Sequence, residues 1–293
     1  MDVIIDLDDD LKYETNSIWR IVFNFFFIPI LNILPRSSNT LIRRSHKSVN
    51  EVITQATTHK ALEILYQNDY KRYGDSLLER LSHRIWFGTN NSKAVRNRLR
   101  LVKRELAESI FFISRVQKDI SILSIASGSA RAVIEALLEI EIPPEKRITI
   151  TFVDKDSSAL EYSRKIVKTH NKLGSNFNFA WVEGTASSFL EKCTVNQFSI
   201  IEMVGLLDYF DEQRVLNIFS EIKRVLIDGG FFITANVNDN SERRFLTRIV
   251  GWDMVYRSAI ELGELLLKAG FSNDKIKLYY EPLNIHGVSV VRK

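Results

Sequence analysis

The stretch Ile120-Ser-Ile-Leu-Ser-Ile-Ala-Ser-Gly-Ser-Ala-Arg131 decides the fold of this 293-residue chain. Its first seven residues are largely apolar and predict a buried strand. The small residues 127–130 predict a tight turn, and a helix is predicted over residues 131–141. A strand, a small-residue turn and a helix typically begin a parallel α/β unit, in which ligands bind beyond the carboxyl ends of the strands.

The residues that follow repeat this alternation of strands and helices. Further strands are predicted over residues 147–153, 177–182, 198–204, 231–237, 275–280 and 287–291. Helices are predicted between most of them, over residues 157–173, 212–227 and 258–269. The last two strands follow each other without a helix, so those two should form an antiparallel pair at one edge. We therefore predict a Rossmann-like, doubly wound α/β domain over residues 116–293, with a seven-stranded, mostly parallel sheet.

The residues before this domain show helical periodicity from residue 8 to 113 and predict a helical N-terminal domain over residues 1–115. Residues 21–34 are very apolar, but a membrane-spanning helix needs about 20 such residues. Three interpretations stay open for this segment: a core helix, an interfacial membrane anchor with basic flanks, or the wall of a pocket for an apolar ligand.

Composition narrows the functional classes. The net charge is +4 with a pI near 9.0, which permits a nucleic-acid partner without requiring one. The single cysteine, Cys193, excludes a disulfide framework and a four-cysteine zinc site. None of the five histidines has metal-ligand spacing, so no metal is predicted. The acidic N-terminal residues do not resemble a signal peptide, and a cytoplasmic location is expected.

The turn after the first predicted strand has the chemistry of an anion site. Its small residues let a ligand approach the backbone, and free N–H groups at the next helix N-terminus bind anions. Arg131 could pair with a carboxylate there. Asp154 ends the second predicted strand, where an acid accepts hydrogen bonds from ribose hydroxyls. The alternative for Asp154 is an acid at a helix N-terminus, a role that Asp156 fits better.

These residues resemble those of the class I S-adenosylmethionine-dependent methyltransferases. Residues 122–130 lie where that family has its acidic, glycine-rich first motif, with Ser124 at the acidic position and Ala126 and Ala130 at glycine positions. Asp154 matches the ribose-binding acid, and residues 183–186 match the segment that borders adenine. The resemblance implies S-adenosylmethionine as cofactor. The predicted cofactor-binding residues are Ala126, Ser127, Gly128, Arg131, Asp154, Lys155, Gly184, Thr185 and Met203.

A narrower resemblance covers residues 70–293, to bacterial methyltransferases associated with the synthesis of 3-hydroxy fatty acid methyl esters. The similar motifs are Tyr73-Gly-Asp75, Ala94-Val-Arg-Asn-Arg98, Gly205-Leu-Leu-Asp-Tyr209, and Trp252 followed by Tyr256-Arg257. The resemblance implies a small-molecule acceptor, with a carboxylate or hydroxyl on a fatty-acid-like or other apolar metabolite. Tyr73, Arg98, Trp252 and Tyr256 are the predicted substrate-binding residues.

The end of the fourth predicted strand should face that acceptor. We predict Asp208 as general base, Tyr209 as an orienting group and Arg257 as a partner for an acceptor carboxylate. Their alternatives are a helix cap, a core aromatic residue and a surface ion pair with Glu261. Two other functions stay open: a nucleic-acid or protein methyltransferase, and a catalytically silent protein that keeps the fold.

Overall fold

The computed structural model describes residues 1–69, 76–170 and 173–293. The strands are β1 (Val3–Ile5), β2 (Asp119–Ile125), β3 (Arg147–Asp154), β4 (Phe177–Glu183), β5 (Phe198–Val204), β6 (Leu226–Val237), β7 (Ile276–Tyr280) and β8 (His286–Arg292). The helices are α1 (Ile18–Ile33), α2 (Asn39–Ser45), α3 (Lys47–Thr54), α4 (His59–Gln67), α5 (Leu77–Trp86), α6 (Asn90–Val116), α7 (Arg131–Glu139), α8 (Ser157–Thr169), α9 (Ala186–Leu190), α10 (Glu212–Val225), α11 (Arg243–Phe245) and α12 (Ala259–Lys268).

The strands form one mixed sheet with the order β1-β7-β8-β6-β5-β2-β3-β4. Strands β6, β5, β2, β3 and β4 are mutually parallel, and β8 is antiparallel to both β6 and β7. The predicted Rossmann-like fold and the antiparallel β7–β8 pair are therefore confirmed. The sheet has an eighth strand, however, because β1 pairs in parallel with β7 and occupies that edge.

Helices cover both faces of the sheet, as a doubly wound fold requires. Apolar residues of α9, α10 and α12 form the core on one face. Those of α6, α7 and α8 form the core on the other. Helix α6 thus packs against the sheet through its apolar stripe, although it lies almost wholly within the predicted N-terminal domain. The division of the chain at residue 115 stays a prediction.

The predicted N-terminal helices are present as α1–α6. Apolar side chains of α1, α2 and α3 pack against residues 245–250, which follow β6 beyond its carboxyl end. The helices therefore lie over the end of the sheet where ligands bind in this class of fold. None of the described helices is by itself long and apolar enough to cross a membrane. Only α1 taken together with Arg36–Ser45 passes that test, and the two are bent by 112°.

Candidate functional site

The turn after β2 has a strained backbone. The φ angle is 52° at Ala126, 53° at Gly128 and 54° at Ala130. This left-handed conformation costs a residue with a Cβ roughly 1–2 kcal/mol, so two alanines adopt it only where neighbours hold them. One such contact comes from β3, since Ser127 N donates to Val153 O over 3.0 Å. The turn lies at the carboxyl end of the sheet, where residues 126–128 are half-buried.

Asp154, the last residue of β3, directs its carboxylate at this turn. Oδ2 accepts a hydrogen bond from Gly128 N at 2.8 Å, and Oδ1 accepts one from Asp156 N at 2.9 Å. Asp156 caps α8 by accepting a hydrogen bond from Ser158 N at 2.9 Å. This is the position at a helix N-terminus that the sequence predicts for Asp156. Each carboxylate oxygen has two acceptor positions, so Asp154 can shape the turn and still accept from a ligand hydroxyl.

A second carboxyl group lies beside the turn, and sequence reasoning missed it. Glu202 of β5 is paired in register with Ser124 of β2, and the Ser124 hydroxyl donates to Glu202 Oε2 over 2.5 Å. The side chain is only 6% exposed. Burial raises the pKa of Glu202 to about 7, although the Ser124 hydroxyl and Arg98 oppose the shift. The available signal was a glutamate within the apolar run of residues 198–204.

A cavity of about 510 Å³, including its mouth, lies between this turn and α6. We call it the loop cavity; its lining includes Tyr66, Arg98, Ala126, Ser127, Arg131 and Glu202. The Ser127 hydroxyl is buried and has no hydrogen-bond partner among the described residues. An unpaired buried hydroxyl costs about 1–3 kcal/mol, so a ligand that bonds to it would recover this energy.

Arg131 has a different role from the one predicted. Its Nε and Nη2 donate to the two oxygens of Glu63 on α4, at 2.9 Å and 2.6 Å, and Nη1 donates to Glu135 at 2.9 Å. These bonds use three of its five N–H groups and direct the guanidinium at Glu63 and Glu135, so Arg131 forms a structural ion pair. The pair instead joins α4 to the first turn of α7.

The other predicted cofactor residues are divided between the surface and the core. Lys155 and Thr185 are exposed, and Gly184 N donates to Asp154 O over 2.9 Å, which places this segment beside the end of β3. The Met203 side chain is fully buried in the core beneath α10. The Met203 side chain is therefore not available to a cofactor, and its assignment as a cofactor-binding residue is corrected. The assignments of Lys155, Gly184 and Thr185 stay predictions.

A second, larger cavity of about 930 Å³, including its mouth, lies beyond the carboxyl ends of β5 and β6. We call it the apolar cavity, because most of its lining side chains are aliphatic or aromatic; they include Val49, Leu65, Trp86, Val95, Phe245 and Val250. Its polar lining includes Arg98, Asp208, Tyr209 and His286. Ligand pockets typically have this composition, an apolar body with a few placed polar groups.

Arg98 lies between the two cavities and lines both. It projects from α6, is 4% exposed, and has a buried Nε without a hydrogen-bond partner among the described residues. Among the described residues, no carboxylate oxygen lies within 4.0 Å of the Arg98 guanidinium. Burial disfavours its charge, but the neighbouring Tyr66 and Asp208 outweigh that effect and raise the pKa of Arg98. It is a buried cation with capacity for a further anion.

The predicted acceptor residues Asp208, Tyr209 and Trp252 line the apolar cavity together. Asp208 is 4% exposed, and its Oδ1 accepts from Val237 N at 2.9 Å. Burial raises the pKa of Asp208, although Arg98 opposes the shift. Trp252 Nε1 donates to the Tyr209 hydroxyl over 2.7 Å, so these two rings hold each other in place.

Arg257 does not face either cavity, in contrast to the prediction. Its Nη1 donates to Leu207 O and Asn236 Oδ1 at 3.0 Å each, and its Nη2 donates to Phe210 O. These bonds fix the segment that carries Asp208. The alternative ion pair with Glu261 is absent from the described ion pairs, and Glu261 instead caps α12 through Ser258.

Tyr256 also lies outside both cavity linings, and its ring packs 4.4 Å from the Arg243 guanidinium carbon. The predicted substrate residue Tyr73 lies outside the described residues. His286 lines the apolar cavity without having been predicted; it is 4% exposed, and burial lowers its pKa well below the usual range. The described residues contain no group of three or more side chains suited to a metal ion.

Comparison with known proteins gives one family. A family model described as "Putative methyltransferase" matches residues 53–293. No curated protein matches the chain.

The chain is also similar to solved structures. A possible exported protein from Bordetella parapertussis is 15% identical with a TM-score of 0.65, over 82% of this chain and 80% of that one. A SAM-dependent methyltransferase from Methanosarcina mazei is 18% identical with a TM-score of 0.46, over 60% and 93%. One from Aquifex aeolicus is 15% identical with a TM-score of 0.43, over 64% and 90%. At these identities the likeness concerns the fold alone.

Proposed function

Because this chain belongs to the methyltransferase family matched over residues 53–293, we propose that it transfers a methyl group from S-adenosylmethionine to the carboxylate of an apolar small molecule. The observation that carries the proposal is the position of Arg98, which lines both the loop cavity and the apolar cavity. A donor in the first cavity and an acceptor in the second would meet beside this guanidinium. The resemblance to the 3-hydroxy fatty acid methyl ester group supports a fatty-acid-like acceptor.

The charges around the loop cavity suit the amino acid part of S-adenosylmethionine. Ser124 stands where the family has an acid, and Glu202 places a carboxyl group against that serine from the neighbouring strand. We assign Glu202 to the donor's ammonium group. We assign the unpartnered Ser127 hydroxyl to the donor's carboxylate, because Arg131 is already paired with Glu63.

The nucleoside part of the donor would lie along the ends of β3 and β4. We assign Asp154 to the ribose hydroxyls, and Lys155, Gly184 and Thr185 to the border of the adenine. Gly128 N contributes indirectly, since its hydrogen bond to Asp154 orients that carboxylate. When bound, S-adenosylmethionine supplies a methyl group carried on a positively charged sulfur.

An acceptor carboxylate is favoured by the electrostatics of Arg98. A buried guanidinium loses most of its hydration, and an anion within hydrogen-bond distance compensates for that loss. The apolar cavity would hold the hydrocarbon part of the acceptor. Burial of that part stabilises the complex by about 25 cal/mol per Å² of apolar surface removed from water. We assign Trp252 and Tyr209 to contacts with that part, because their mutual hydrogen bond fixes both rings.

The transfer step forms a bond from a carboxylate oxygen to the methyl carbon while the bond from that carbon to sulfur breaks. Opposite charges on the two reactants disappear in the products, so a cavity of low polarity favours the reaction. A carboxylate brings its own lone pair and needs no general base. The main task of the protein is alignment, which can contribute up to about 7–11 kcal/mol. Asp208 would keep Arg98 charged and in place.

The first experiment is calorimetric titration with S-adenosylmethionine and S-adenosylhomocysteine, followed by a search for methyl esters among products from carboxylic acids of increasing chain length. Fatty alcohols of matched length test the hydroxyl alternative. Arg98→Met should raise KM for the acid about 10- to 100-fold, because a charge-assisted bond is lost, and should change S-adenosylhomocysteine affinity less than about threefold. Arg115→Met, exposed on the same helix, is the matched control.

Three outcomes would contradict the proposal. Absence of binding to both nucleosides would support a catalytically silent protein. Alcohol methylation without ester formation would move the nucleophile to a hydroxyl, with Asp208 as its base. Weaker nucleoside binding in Arg98→Met, with KM for the acid unchanged, would assign Arg98 to the donor. The cytoplasmic location stays a prediction.

A further inference from the structure

Helix α1 has its polar and apolar faces reversed relative to a helix of a water-soluble domain. Its polar side chains point inward, where Asn24 Nδ2 donates to Asn90 Oδ1 at 3.0 Å and Asn32 Nδ2 donates to Ser241 O at 2.7 Å. Arg20 Nη2 donates to Ile85 O at 3.0 Å. These contacts fix the rotation of the helix, so the opposite face must point outward.

That outward face is apolar along the whole helix. Ile18 is 79% exposed, Phe25 73% and Ile33 71%, and Val22 and Pro29 lie on the same line between them. Trp19 (84%) and Phe26 (64%) widen the surface. So many large apolar side chains on one exposed face indicate an interaction surface, because contact of their apolar surface with water is unfavourable. We call these residues the outer face of α1.

Basic residues follow the outer face along the chain. Residues 34–54 contain four of them, Arg36, Arg43, Arg44 and Lys47, against one acidic residue, Glu51. Arg36, Arg44 and Lys47 are exposed on and beside α2, which follows α1 after the 112° bend. An apolar face with cationic neighbours is complementary to the acyl chains and anionic headgroups of a bilayer surface.

We propose that the outer face of α1 docks in the interfacial region of a membrane that contains anionic phospholipids. A second copy of the chain is a poorer occupant, because a symmetric contact would bring two sets of like charges together. The inner side of α1 packs through Phe27 and Leu31 on a cluster that includes Trp86, Phe245 and Trp252. Those three residues also line the apolar cavity, so α1 and the layer of side chains on which it packs separate the docked surface from the cavity.

The test is co-sedimentation of the full chain with vesicles of phosphatidylcholine alone and of phosphatidylcholine mixed with phosphatidylglycerol. The wild type should bind the mixed vesicles more tightly. Phe25→Ser/Phe26→Ser should weaken that binding at least about tenfold. Phe111→Ser, at a residue 57% exposed on α6, is the matched control and should bind as the wild type does. Arg36→Glu/Arg44→Glu should remove the preference for the anionic vesicles.

A fluorescence measurement tests the same surface without altering its phenylalanines. Brominated lipids in the vesicles should quench part of the tryptophan emission, and Trp19→Phe should abolish that quenching. The inference is overturned if the wild type binds neither vesicle. It is also overturned if the double phenylalanine variant binds unchanged, or if a dimer that this variant converts to monomer is seen by light scattering. None of these readouts depends on methyl transfer, so failure here and failure of the proposed function are distinguishable.

Discussion

Replacing Glu202 by glutamine should stabilise the protein at alkaline pH and weaken its affinity for S-adenosylmethionine. The wild-type carboxyl group is buried, and its pKa is about 7 against an ordinary value of 4.5. The folded state therefore holds a proton between these two values that the unfolded state has released. Since the folded state binds more protons, stability is highest below pH 4.5 and falls as the pH rises towards 7.

The size of this effect follows from the shift. Each pKa unit corresponds to about 1.4 kcal/mol, so ionised Glu202 costs the folded protein about 3 kcal/mol above pH 7. Glutamine carries no charge and its amide oxygen can still accept the Ser124 hydroxyl. Urea unfolding from pH 4.5 to 8.5 should show the variant becoming progressively more stable than the wild type. Glu161→Gln, a change at an exposed surface carboxylate, is the control.

Binding should change in the opposite direction. Loss of a charge-assisted hydrogen bond to the donor's ammonium group should weaken affinity about 10- to 100-fold. In the wild type the affinity should increase from pH 6 to 7.5 as Glu202 ionises, and in the variant this increase should disappear. Parallel stability profiles for the two proteins would refute the raised pKa. Unchanged affinity at pH 7.5 would remove Glu202 from the donor site.

Three further substitutions test the contacts around the two cavities. Glu63→Gln should lower the free energy of unfolding by about 2 kcal/mol. This is less than the cost of breaking a fully buried ion pair, because Arg131 is partly exposed. An unchanged urea midpoint would contradict the role of this pair in joining α4 to α7. Asp154→Ala should weaken S-adenosylhomocysteine binding about tenfold or more in calorimetry, and equal affinity would exclude Asp154 from the site. Arg257→Ala should cost about 3 kcal/mol of stability by leaving buried carbonyls unpaired. Full stability with turnover lost would restore its predicted contact with the acceptor.

The strands from β2 to β8 could be predicted because each is a run of apolar or β-branched residues with turn signals on both sides. Strand β1 could not. It has only three residues, lies between acidic residues, and has its partner β7 more than 270 residues away. Short-range periodicity contains no information on such a pairing.

The ligand loop was predictable for a similar reason, since Ala126, Gly128 and Asp154 lie at the ends of well-marked strands. The errors arose where a side chain meets a distant partner. Arg131 pairs with Glu63, 68 residues earlier, and Arg257 bonds to carbonyls that a sequence pattern does not contain. Glu202 was missed because its importance depends on the register between β5 and β2.

The reversed faces of α1 have the same origin. Its apolar content was evident, but three interpretations stayed open because composition does not state which side of a helix meets the protein. The contacts of Asn24 and Asn32 decide the orientation, and both partners lie in distant segments.

The position of Arg98 at the boundary of the two cavities has a thermodynamic consequence. A cation there repels the sulfonium of the donor when the apolar cavity is empty. An acceptor carboxylate neutralises it, so the acceptor should tighten donor binding, and by linkage the donor should tighten acceptor binding by the same factor. Substitution by methionine should remove this cooperativity and tighten binding of S-adenosylmethionine alone, while binding of the uncharged S-adenosylhomocysteine stays nearly unchanged. The fold would thereby favour the ternary complex over either binary one.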